Sequence, residues 1–168
     1  MKGKVIYDDF RSHPPGNDVS LIIADPVYDD LKMMNDILAF DKPTIMFMYA
    51  DNIRGLSKQP DQILFWVKPV STKNTCRKYS RFVEVICVFG VKMNTTLHWS
   101  NRTGVFTDAL LSNEEHPWKK PESLIERLVR NHYQGIGNIY DPCAGSLTVK
   151  TVCDRLEIPS ISIEICKL

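Results

Sequence analysis

Val19-Ser20-Leu21-Ile22-Ile23-Ala24 runs directly into Asp25-Pro26-Val27-Tyr28. The first six residues are β-rich and apolar, the pattern of a strand buried on both faces. The next four form an acidic, proline-stiffened turn that ends in an aromatic ring. A carboxylate, a rigid backbone carbonyl and a stacking face within four residues suit the capture of a planar ring that bears an amine, such as a nucleobase. An ordinary strand-to-helix turn is the alternative reading of the same residues. Working outward from this point, Asp29 to Ala39 places Leu31, Met34, Ile37 and Leu38 at helical spacing, and Pro43 then opens a strand over Thr44 to Tyr49. Strands are expected at Lys4 to Tyr7, Ile63 to Val67, Phe82 to Phe89, Asn138 to Tyr140 and Ser160 to Ile165. Pro121 starts a helix with an apolar stripe of Leu124, Ile125, Leu128 and Val129, and Gly135-Ile136-Gly137 ends it. A further helix is expected over Thr148 to Leu156. Strands alternating with helices predict an α/β fold with a largely parallel sheet. Gly90 to Asn113 is poorly patterned, with turn signals at Asn94-Thr95-Thr96 and Ser100 to Gly104.

Composition sets the frame. The chain has 168 residues, 43% apolar and 24% charged, which predicts one soluble globular domain over 1–168. No apolar run is long enough to span a bilayer and no signal-peptide pattern opens the sequence, so no membrane association and a cytoplasmic location are expected. The five cysteines are scattered without a CxxC, and reduced thiols are expected. A zinc site from Cys76, Cys87 and His98 has the wrong spacing for the known ribbons, so no metal is expected.

Net charge is +1, yet the charges are unevenly distributed. Between Trp66 and Arg102 the basic residues are Lys68, Lys73, Arg77, Lys78, Arg81, Lys92 and Arg102, against one acid, Glu84. This suggests an anion-binding face with a phosphate backbone as its partner; a solvated loop is the alternative. His98-Trp99 could stack on a base, or pack on the sheet edge.

A second constellation is Asp141-Pro142-Cys143-Ala144-Gly145-Ser146, between a strand and a helix. Small residues at such a turn let a ligand approach the backbone closely, and the helix start supplies unpaired N–H donors. The next strand ends in Glu164, where an acid is the expected partner of ribose hydroxyls. GxxxxGK[ST] does not occur, which argues against a P-loop kinase or ATPase, and GxGxxG is also absent.

Six segments then carry a resemblance. Asp25 to Tyr28 resembles the DPPY motif of DNA amino-methyltransferases, which use S-adenosyl-L-methionine to methylate adenine N6 or cytosine N4. Ile63 to Pro69 resembles that family's W-x-K-P strand, and Arg81 to Phe89 its YE-x-I-L-V-F strand. His116-Pro117-Trp118-Lys119-Lys120-Pro121 resembles HPTQKP, Asp141 to Ser146 resembles DPFxGSG, and Ile163-Glu164-Ile165 resembles the G-I-E acid. The catalytic motif precedes the cofactor motif, the permuted order of one branch of the family.

The resemblance implies a Rossmann-like methyltransferase fold: a mostly parallel twisted sheet with one antiparallel strand and helices on both faces. It implies Asp25, Pro26, Val27 and Tyr28 as the catalytic turn, with Tyr28 stacked on a flipped base. Asp9, Trp118, Lys120, Asp141, Cys143, Ala144, Gly145, Ser146 and Glu164 would bind the cofactor, Asp9 near its adenine ring. DNA would be the partner, held by Lys73, Arg77, Lys78, Arg81, Lys92 and Arg102, with target recognition in a short insert over 91–115 and a homodimer as an option. Asp rather than Ser at the first motif position favours adenine over cytosine. Val27, Cys143, Leu147 and Trp118 depart from the family's pattern. They leave open a second reading, a methyltransferase-like module that binds nucleic acid or protein without turnover, or a subunit that recognises its target through a partner chain.

Overall fold

The computed structural model describes residues 3–68, 82–94, 102–109 and 119–165. Eight strands build one sheet: β1 Lys4–Tyr7, β2 Val19–Ala24, β3 Thr44–Met48, β4 Gln62–Val67, β5 Val83–Phe89, β6 Val105–Phe106, β7 Asn138–Asp141 and β8 Ser160–Glu164. Among the described residues three α-helices join them: α1 Leu31–Leu38, α2 Glu122–His132 and α3 Thr148–Arg155. The sheet order is β1-β8-β7-β2-β3-β5-β4-β6. All neighbours are parallel except β5, which runs against both β3 and β4. The expected mostly parallel sheet with one reversed strand is therefore present.

Strand alternation sends side chains to two cores. Ile23, Ile45, Phe47, Leu64, Trp66, Ile86 and Val88 face one side, where Leu124, Ile125, Leu128 and Val129 of α2 and Val149, Val152 and Cys153 of α3 cover them. Ile22, Ala24, Met46, Met48, Val85, Cys87 and Phe89 face the other side, under Met34, Ile37 and Leu38 of α1 and Phe10. Val19 and Ile22 share a face although three residues apart, because the register with β7 shifts between Val19 and Leu21. Such a shift turns one residue out of phase.

The helix ends follow capping chemistry. α1 begins at Leu31 rather than Asp29 because Asp30 caps it, its side chain accepting from the Met33 N–H at 2.8 Å. The turn after α2 needs its glycine: Gly137 has φ +77°, and a Cβ there would sit 2.6 Å from the Asp18 carbonyl. Among the described residues no helix is long and apolar enough to cross a membrane.

Candidate active site

The topology gathers the polar groups at one edge. β2 lies between β7 and β3, so the turns leaving β2 and β7 open side by side at the carboxyl end of the sheet, where open α/β sheets bind ligands. The first turn carries Asp25 and the second starts at Asp141. Because β5 is reversed, its first residues arrive at the same edge, and Glu84 stands in register with Trp66 of β4. Lys68 follows β4 directly.

Between the two turns lies a cavity of about 240 Å³. Ile23, Phe47, Ile125 and Val149 form its apolar floor. Asp25, Asp141, Cys143, Ala144, Gly145, Ser146, Lys119 and Lys120 supply the remaining walls. Asp141 is 3% exposed. Among the described residues its carboxylate accepts one hydrogen bond, from the Cys143 N–H at 3.1 Å. Burial with so little compensation, and with the charges of Asp25 and Glu164 nearby, pushes its pKa up to about 8. Burial likewise pushes the Cys143 thiol well above its ordinary value, so it is a neutral wall group. The turn itself is tight: Gly145 has φ +43° and Leu147 φ +58°. Leu147 thus occupies a left-handed position that favours glycine. The Gly145 N–H donates to Glu164 at 2.5 Å, which ties the end of β8 to the turn after β7.

The Asp25 side is a network of charges, buried at Glu84, Lys68 and Lys120 and half-buried at Asp25. Lys120 reaches Asp25 at 2.8 Å and Glu84 at 3.3 Å. Lys68 reaches the other oxygen of Glu84 at 2.8 Å. The Tyr28 hydroxyl sits 3.0 Å from Asp25 and 2.7 Å from Glu84. Two carboxylates and two ammoniums balance, and the Lys120 ammonium also lies over the rings of Tyr28, Phe47 and Trp66 at 5.3 to 5.7 Å. Burial would raise Glu84, but Lys120, Lys68 and Tyr28 outweigh it and hold its pKa below the ordinary value. Burial would lower Lys120, yet Asp25 and Glu84 outweigh it and raise the ammonium's pKa. At Asp25 burial wins over Lys120, leaving its pKa raised.

The family model for DNA methylases of the N6 and N4 type matches residues 24–167. The chain belongs to this DNA methylase family. No curated protein matches it in sequence. The methylase is similar in fold to solved structures of two others. M1.HpyAVI in complex with SAM gives a TM-score of 0.71 at 19% identity, covering 98% of this chain and 94% of that one. The PvuII DNA methyltransferase, described as cytosine-N4-specific, gives 0.77 at 14% identity, covering 99% and 83%.

The structure of this methylase brings one catalytic-turn residue and most of the expected cofactor-binding residues together. Asp25, Lys120, Asp141, Cys143, Ala144, Gly145 and Ser146 share the cavity, and Glu164 touches its glycine turn. Pro26 is buried, whereas Val27 is 65% exposed. Asp9 reaches the same edge, two residues beyond Tyr7, which pairs with Glu164. It does not line the cavity: it caps the turn Phe10–Ser12 and pairs with Arg11 at 3.0 Å.

Lys92 follows β5 at the opposite edge of the sheet, and Arg102 leads into β6 from that side, so neither joins the cavity. Lys68, read in the sequence as part of a basic face, is instead 5% exposed and spent on Glu84. Trp118, Lys73, Arg77, Lys78, Arg81, Cys76, His98 and Trp99 lie outside the described residues. Glu84 and Lys68 had not been read as site residues. The signal was present, as an acid inside an apolar strand is retained only when it is paired.

Proposed function

We propose that the chain transfers a methyl group from S-adenosyl-L-methionine to the exocyclic amine of a DNA base, adenine N6 in preference to cytosine N4, after flipping the base to Asp25 and Pro26. The carrying observation is that the Asp25 and Asp141 turns open on one cavity in which Asp25 is held by Lys120, while the buried Asp141 meets no cation among the described residues. The residues fit the cofactor on that ground. Asp141 is a nearly uncompensated carboxylate in the wall, suited to an ammonium, and Glu164 stands at the rim for ribose hydroxyls. Lys119 lines the wall where a carboxylate would find a cation. When bound, S-adenosyl-L-methionine supplies a methyl group activated by a sulfonium.

The protein's own part is to present the amine. An exocyclic amine is a weak nucleophile because its lone pair is delocalised into the ring. Hydrogen bonds from its two N–H groups to the Asp25 carboxylate and the Pro26 carbonyl draw the nitrogen toward a tetrahedral shape and free that pair. A raised pKa suits Asp25 to take the proton that the amine sheds as the new bond forms. Apolar walls exclude water, and most of the acceleration is positioning. Tyr28 would meet the base with its ring while its hydroxyl stays on the acids. Phosphate contacts fall to Lys73, Arg77, Lys78 and Arg81, with recognition in the 91–115 insert and a second copy of the chain completing the surface.

Transfer of a tritiated methyl group to duplex and single-stranded DNA, followed by nucleoside analysis, tests this reading. N6-methyladenine that disappears in Asp25→Ala, with cofactor affinity retained, is the expected result. N4-methylcytosine as the product would overturn the choice of base. Wild-type rates in Asp25→Ala would overturn the assignment of the turn. Cofactor binding without any transfer would favour the binding-module reading.

A further inference from the structure

Val27 stands where the family's catalytic turn carries a second proline, so the backbone at that position lacks the ring that would stiffen it. The side chains around it supply the missing restraint. Tyr28 is held at three points: its hydroxyl lies 2.7 Å from Glu84 and 3.0 Å from Asp25, its carbonyl accepts from the Asn52 amide, and its ring meets Tyr49 edge-on at 4.6 Å. Glu84 joins three of the other members, with one oxygen on Lys68 and the other shared by Tyr28 and Lys120.

A phenol has one proton and donates to one carboxylate at a time. With Glu84 as the standing acceptor, Tyr28 can release Asp25 Oδ1 to an incoming amine without leaving its place. Lys120 remains on Asp25 Oδ2 throughout. We propose that Glu84 is a positioning residue that clamps the catalytic turn through Tyr28 and Lys120, doing for Val27 what a second proline does by its ring. The proposal rests on Asp25 being the amine acceptor, but the clamp itself can be read without turnover.

The test pairs Glu84→Gln with Val27→Pro. The Asp30 N–H closes the turn onto the Val27 carbonyl at 3.0 Å and reports its opening. Loss of a charge-assisted bond predicts about tenfold faster hydrogen exchange at Asp30 in Glu84→Gln, and a similar fall in kcat, with the KM for the cofactor moving less than about twofold. Adding Val27→Pro to that variant is expected to recover about two- to fivefold in both readouts, more than the same change gives in the wild-type background. Asn52→Ala loosens Tyr28 from its other side while keeping all four charges, and shows the same rescue; it serves if Glu84→Gln does not fold. Unaltered Asp30 exchange in the variants, or no recovery with proline, overturns the clamp. A wild-type protein that transfers no methyl group would sink the function proposed above, while the exchange readout would still decide the clamp.

Discussion

Asp141→Asn should make the ligand-free protein more stable, by an amount that grows with pH. Asp141 is buried, among the described residues it has one backbone donor and no cation, and its pKa is pushed up to about 8 against an ordinary value near 3.8. Between those two values the folded protein keeps the proton and the unfolded chain does not. Wild-type stability therefore falls as pH rises through this window and levels off above about pH 8. Each pH unit costs about 1.4 kcal/mol, so the gap between Asp141→Asn and wild type should widen by roughly 2 to 3 kcal/mol from pH 6 to pH 8. For a domain of this size that is about 5 to 10 °C in Tm. Asparagine adds its own constant offset, from a buried amide that must find partners, so the slope rather than the offset is the measurement. Thermal melts of both proteins at several pH values decide it, because every other titrating group is common to the two. A gap that stays flat from pH 6 to pH 8 would show that Asp141 ionises normally and would refute the reasoning. A bound cationic ligand should shrink the gap by giving the carboxylate its missing charge.

Lys120→Met should cost about 3 to 5 kcal/mol in urea denaturation, because it leaves Asp25 and Glu84 facing each other in a buried site. At Leu147 the left-handed backbone makes Leu147→Gly at least as stable as wild type by the same assay. Leu147→Val should lose about 1 kcal/mol or more, since a β-branched side chain tolerates φ +58° least.

The elements were legible where burial is simple. β2 is apolar but for Ser20 and β5 but for Glu84, and α2 shows a clean stripe, so their burial on the sheet follows largely from pattern. β6 was not legible: two residues, Val105 and Phe106, pair with β4 by tertiary contact and carry no period of their own. The short helical turns at Phe10–Ser12 and Ala50–Gly55 were missed for the same reason.

In the site, the acids Asp25, Asp141 and Glu164 were readable because each ends a strand. The charge pattern misled at Lys68, since net charge along a segment does not say which lysine turns inward. The reversal of β5 sets that, by bringing Glu84 to the same edge. Lys92 and Arg102 were expected on a nucleic-acid face from their charge; the reversal of β5 sets Lys92 at the edge opposite the cavity, and Arg102 leads into β6 from that edge.

The pairing of β4 with β5 also decides how firmly the far side of the site is held. The Lys68 N–H donates to the Phe82 carbonyl at 2.7 Å, and the Lys68 ammonium is locked on Glu84, so the two strands are sewn together where they leave the sheet. Because the same Glu84 also holds Tyr28 and Lys120, the stiffness of the paired strands passes through one carboxylate to the turn that carries Asp25.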